Sequence, residues 1–195
     1  MNLSLSAALP KDVSLQETLS TVEAAVRKEP NAPQHRWALV ELLCVLGQWE
    51  RALKQLQAWV KLDPAQQAQA QMVRGLIRAE YQRVEVFGGH LLPAPVVDRP
   101  QWMEDLARAI KHNAAGEHAQ ADALRQSALD QAPSPKGQVV LSASMAAQSA
   151  ANADARETVA FDWISDSDSR LGPSCELMVA GGYRWLAFND IRTLD

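Results

Sequence analysis

Asp166 and Asp168 stand one residue apart, directly after the apolar run Val159 to Ile164, and are the pair whose type and spacing could do chemistry. Two carboxylates so placed serve Mg²⁺-assisted phosphoryl transfer, one as nucleophile and one as acid/base, with the metal on both. That chemistry also needs a later lysine and further acidic groups. Only 27 residues follow Asp168, and none of them is a lysine. A calcium loop fits poorly, because Arg170 takes a ligand position and the sixth residue is not glycine. The run suits a turn better: Asp166 and Asp168 accept backbone N–H bonds, and Arg170 pairs with one of them. A Mg-dependent phosphatase-like enzyme using Asp166 and Asp168 stands as the alternative.

No other constellation asks for catalysis. His35, His90, His112 and His118 include no pair at i, i+4, and no Ser/His/Asp or Cys/His motif has a recognisable context. Gly88-Gly89 lacks the preceding strand and following Lys-Ser/Thr of a phosphate loop. Cys44 and Cys175 lie 131 residues apart with no CxxC, so each reads as a small hydrophobe. Neither catalytic residues, a metal nor a cofactor is therefore expected. Lys+Arg 19 against Asp+Glu 23, a net charge of −4, lacks the basic footprint of a nucleic-acid binder. Without a long apolar run or a basic-then-apolar leader, the expectation is a soluble, cytoplasmic protein not inserted in a membrane.

The elements that would carry a binding surface are helices. The chain up to residue 133 is rich in Ala, Leu, Gln and Arg, which favour helix. Ser14-Leu-Gln-Glu17 reads as a capping box, Asp63-Pro64 as a second helix start with Gln66 at the reciprocal site, and Asp98-Arg99-Pro100-Gln101 as a third. A period runs through this part. Leu19, Val22, Ala25, Val26 and Pro30 recur 34 positions later as Leu53, Leu56, Trp59, Val60 and Pro64. Gly47, Ala52 and Pro64 recur 69 positions later as Gly116, Ala121 and Pro133. Glycine at an interhelical turn, alanine at a close approach and proline after the second helix, at that period, make a tetratricopeptide-like (TPR-like) array. The middle unit departs from it: residues 65–86 read as one longer helix, followed by a Pro-rich loop from Leu92 to Pro100.

The fold expected is mainly α: a TPR-like helical repeat array with a short C-terminal β-rich tail. Residues 1–13 form an N-terminal tail, 14–133 the helical domain, 134–158 an Ala/Ser-rich linker, and 159–195 a small, shortened β-rich domain. In that domain Val159 to Ile164 reads as a strand. Cys175 to Ala180 and Tyr183 to Phe188 read as a hairpin turning at Gly181-Gly182, and a third strand starts at Ile191.

First helices of such repeats line a concave face. It would receive Gln34, Trp37, Glu41, Cys44 and Val45 from one copy, and Met103, Leu106, Ile110, Asn113 and Ala114 from the other. Gln71 and Arg78 come from the middle helix. This face is too apolar for a carboxylate-ended peptide and suits an amphipathic helix. Trp49 and Trp59 occupy positions that pack internally.

Several runs together carry a family resemblance. They are Arg36-x3-Val40-Glu41-Leu42-Leu43-Cys44-x2-Gly47-x-Trp49-Glu50-Arg51-Ala52-x2-Gln55-Leu56, then Trp102, then Asp162-Trp163-x2-Asp166-x-Asp168-Ser169-Arg170-Leu171-Gly172-Pro173. From about residue 14 onward the chain resembles the ImpE/SciE/TagJ family of type VI secretion accessory proteins. The resemblance implies a non-enzymatic adaptor that binds the N-terminal helix of the small sheath subunit and is linked to ClpV, the ATPase that recycles contracted sheath. It also marks Asp162, Trp163, Asp166, Asp168, Arg170 and Gly172 as a motif with a structural or interaction role. A scaffold that meets its partner through the β-tail is the further alternative.

Overall fold

A computed structural model describes residues 13–140 and 158–193. Residues 1–12 of the expected N-terminal tail and 141–157 of the expected linker lie outside the described residues. The chain forms two compact units, Met1–Ala79 and Glu80–Asp195. Their boundary falls within one long helix.

The first unit is helical. Helix α1 (Leu15–Lys28) starts at the expected capping box: the Glu17 amide donates to Ser14 Oγ at 3.2 Å, and the Ser14 amide donates to Glu17 Oε2 at 3.0 Å. Helices α2 (Pro33–Val45) and α3 (Trp49–Leu62) form a hairpin at Gly47, which sits at φ +67°. There the Gln48 amide reaches back to Leu43 O at 2.8 Å and closes the end of α2. Ala52 faces α2 with no exposed surface, so the two helices can approach closely. Leu42, Leu43 and Leu56 are fully buried, each contributing about 1.5–3 kcal/mol. A 3-10 turn (Pro64–Gln66) leads into α4 (Gln67–Phe87), so the long middle helix is present. Asp63 caps that turn, accepting from the Ala65 amide at 3.3 Å and from Gln66 Nε2 at 3.1 Å.

The second unit repeats the hairpin with α5 (Gln101–Ala114) and α6 (His118–Gln131). Gly116 takes φ +79°, the Glu117 amide donates to His112 O at 2.9 Å, and Ala121 is fully buried. Here the expected cap is corrected. Pro100 rather than Asp98 precedes α5, and no side chain caps it.

The β-part differs from expectation in three places. Strand β3 covers Thr158–Phe161, ending before Ile164, and pairs antiparallel with β2 (Gly137–Val140), which falls in the expected linker. Strands β4 (Ser174–Val179) and β5 (Gly182–Ala187) form the hairpin, but it turns one residue early, at Ala180-Gly181. Both turn residues have positive φ, 51° and 66°, matching the right-handed strand twist. No strand starts at Ile191; a 3-10 turn (Phe188–Asp190) lies there instead. The third strand of this sheet is β1 (Ala94–Pro95), taken from the Pro-rich loop and laid parallel along β5. A proline is tolerated there because β1 is an edge strand.

Among the described residues, no helix is long and apolar enough to cross a membrane.

Candidate functional site

Helix α2 is buried on most of its circumference. Ala38, Leu39, Val40, Leu42 and Leu43 all lie in the core. At about 100° per residue, Gln34, Trp37, Glu41, Cys44 and Val45 fall on one stripe roughly a quarter of the circumference wide. Gln34 and Val45 are exposed, and Trp37, Glu41 and Cys44 are half-buried. These are the five α2 residues expected to face a partner, and they form a partly open stripe; His35 and Arg36, elsewhere on the helix, are half-buried too.

The stripe is stiffly mounted. The Trp37 ring lies against Trp59 with centroids 4.5 Å apart, and both belong to a cluster with Val40, Leu56 and Ala70. Trp59 is core as expected, and Trp49 packs partly buried against the neighbouring cluster. Arg36 ties the helix down, donating to Gln55 Oε1 at 2.9 Å and to Pro30 O at 3.1 and 3.2 Å. Burial, and then the charge of Glu41, pushes the Cys44 thiol above its ordinary value. Glu41 Oε2 is buried and accepts no hydrogen bond among the described residues.

The other expected groove residues divide. Gln71 and Arg78 on α4 are exposed. Met103, Leu106 and Ile110 on α5 are 2, 0 and 4% exposed. In this structure those three are packing residues, and they have no surface with which to meet a partner. Asn113 is half-buried and Ala114 exposed at the end of α5.

The Asp/Ser-rich run forms the turn its composition suggests. The Asp168 amide donates to Asp166 Oδ1 at 2.7 Å, and the Arg170 amide donates to Asp168 Oδ1 at 3.0 Å. The Asp166 amide closes the loop onto Gly172 O at 2.7 Å. Arg170 grips both oxygens of Asp168, with Nη2 to Oδ2 at 2.6 Å. These bonds hold the Asp168 carboxyl below its ordinary value, against the opposing effect of burial. The pair considered for metal chemistry is thus engaged in backbone and arginine bonds. Among the described residues, no group of three His, Cys, Asp or Glu could hold a metal ion.

Sequence reading missed what the turn is fastened to. The Arg170 guanidinium lies 4.4 Å from the Phe87 ring centroid at the end of α4, and Arg83 lies 4.9 Å from the same ring. Arg83 in turn makes a two-pronged pair with Glu176, at 2.6 and 3.1 Å, which raises its pKa. Glu176 also accepts from Tyr183 Oη at 2.5 Å, and Trp185 Nε1 donates to that hydroxyl at 2.7 Å. Burial first, and then the Glu176 bond, drives the Tyr183 hydroxyl well above its ordinary value. Gly172 has φ +51°, and a Cβ there would come within 2.7 Å of Leu129 on α6. The motif position favours glycine first through its left-handed backbone, and a Cβ there would also make the Leu129 side chain shift. Of the remaining motif residues, Asp162 is exposed and ion-paired with Lys136 at 3.4 Å, while Trp163 stands 69% exposed.

Comparison with known proteins bears on what these features serve. The family model described as ImpE protein matches residues 158–195, which include the Asp166–Pro173 turn. The type VI secretion system accessory component TagJ of Pseudomonas aeruginosa is 33% identical over 180 residues, covering 92% of this chain and 58% of TagJ. A crystal structure of a Vibrio parahaemolyticus protein shares the fold with TM-score 0.71 at 24% identity, covering 90% of this chain and 60% of that one. The chain spans about three fifths of the length of these relatives.

Proposed function

The chain belongs to the ImpE family, and on that premise we propose that it is a non-enzymatic adaptor of a bacterial type VI secretion system. Its helical part captures an amphipathic helix, the N-terminal helix of the small sheath subunit, and so links sheath recycling to the ClpV ATPase in the cytoplasm. The observation that carries this reading is the stripe on α2. Gln34 and Val45 are exposed and Trp37, Glu41 and Cys44 half-buried, while Ala38, Leu39, Val40, Leu42 and Leu43 of the same helix lie in the core. An indole flanked by aliphatic and polar side chains is what an amphipathic helix packs on. Gln71 and Arg78 are exposed on α4, and a TPR-like array would use its first helices in this way.

The test is calorimetry with a synthetic peptide of the sheath subunit's N-terminus. Val45 is 58% exposed, so Val45→Asp leaves the fold intact and is expected to cut affinity at least tenfold. Unchanged binding by Val45→Asp, together with unchanged binding by Trp37→Ala, removes the stripe from the reading.

Trp163 favours a second reading, a scaffold that meets its partner through the β-tail, since an indole 69% exposed is rarely idle. Loss of peptide binding in Trp163→Ser, with Val45→Asp unaffected, would select it.

A further inference from the structure

We propose that Glu41 sets the specificity of the α2 stripe by pairing with a lysine or arginine that the docked helix carries between its apolar anchors. The inference rests on the docking reading above and deepens it. Glu41 lies in the middle of the stripe, one helical turn from Trp37 and four residues before Val45. Of the five stripe residues it is the one with an acidic side chain. Its Oε2 is already out of water and accepts no hydrogen bond among the described residues, a condition that proteins generally avoid.

A docking helix would strip the remaining water from this carboxylate. An apolar or acidic residue placed over it would then leave a buried, unpaired charge, which is strongly disfavoured. A basic side chain supplies both the missing donor and the opposite charge. The stripe thus attracts one kind of partner and rejects others, and the rejection comes from the same oxygen.

The experiment measures binding of a fluorescently labelled sheath N-terminal peptide to the full chain by anisotropy. Wild type is compared with Glu41→Gln and Glu41→Lys, and with peptides in which each lysine or arginine in turn becomes glutamate. Glu41→Gln should weaken binding about tenfold or more, and Glu41→Lys further. One of the reversed peptides should recover binding to Glu41→Lys while losing it to wild type. Glu41→Gln should melt no lower than wild type, since Glu41 Oε2 accepts no hydrogen bond among the described residues; a clear drop in its melting temperature would assign Glu41 to the fold and overturn the inference. Equal affinity of wild type and both variants, with Val45→Asp still impaired, would overturn it while the docking reading stood. If Val45→Asp and Trp37→Ala also bound normally, or wild type failed to bind, the docking reading and this inference would fall together.

Discussion

The hairpins at Gly47 and Gly116 are near copies in their local structure and opposites in their surroundings. Both turn on a left-handed glycine, and both return a backbone bond from the residue after it, Gln48 to Leu43 and Glu117 to His112. Both pack a fully buried alanine, Ala52 or Ala121, against the first helix. Yet the positions 69 apart on those first helices differ in kind. Gln34, Trp37 and Glu41 leave an open stripe on α2, whereas Met103, Leu106 and Ile110 are buried on α5. The shared signature specifies a hairpin and is silent on what covers it. The polar residues carry that information: glutamine and glutamate stand in one copy where methionine and isoleucine stand in the other.

The comparison can be broken most directly by matched truncation. Met103→Ala should cost about 2–5 kcal/mol in urea unfolding. Gln34→Ala, its counterpart, should stay within about 0.5 kcal/mol of wild type. Equal losses would mean that the α2 stripe is no more open than its α5 equivalent.

Substituting the two glycines should sharpen the likeness instead. A Cβ at Gly47 or Gly116 meets nothing within 4 Å. Only the backbone strain of a left-handed residue is then left, about 1–2 kcal/mol at either site. Gly47→Ala and Gly116→Ala should shift the unfolding midpoint alike; a much larger loss at one would show that its hairpin depends on surroundings the other lacks.

The smallest effect concerns pH and separates the second unit from the first. The Asp168 carboxyl is held below its ordinary value, mainly by its hydrogen bonds with Arg170. Its contribution is therefore fully present above the ordinary carboxylate value and is lost as pH falls through the depressed one. Thermal melts between neutral pH and about pH 3 should show wild type losing more stability than Asp168→Asn. Parallel curves would mean that the clasp adds nothing to the fold.

Much of the molecule was legible in local sequence. The capping box at Ser14, the turn glycines, Asp63 before its proline, and the Asp166–Arg170 turn are all made by groups within a few residues of each other. So is the place where three helices end. At Glu29, Asp63 and Ala132 the amide makes the last i−4 bond, and a proline follows each. The Asp turn shows how far this reaches, since its bonds were anticipated but its attachment to Phe87 and Arg83 was not. Nothing near residue 83 marks Glu176 as its partner, 93 positions away.

The sequence by itself thus determined where helices begin, turn and stop, because those events are hydrogen bonds closed over three to five residues. Tertiary structure decided that two residues of a Pro-rich loop become a strand beside β5, that part of an expected linker pairs with β3, and that α5 hides the face α2 leaves open. Each of these depends on which distant segment arrives to supply a backbone edge or an apolar surface. That choice is made by the packing of the whole chain and leaves no mark on the residues in between.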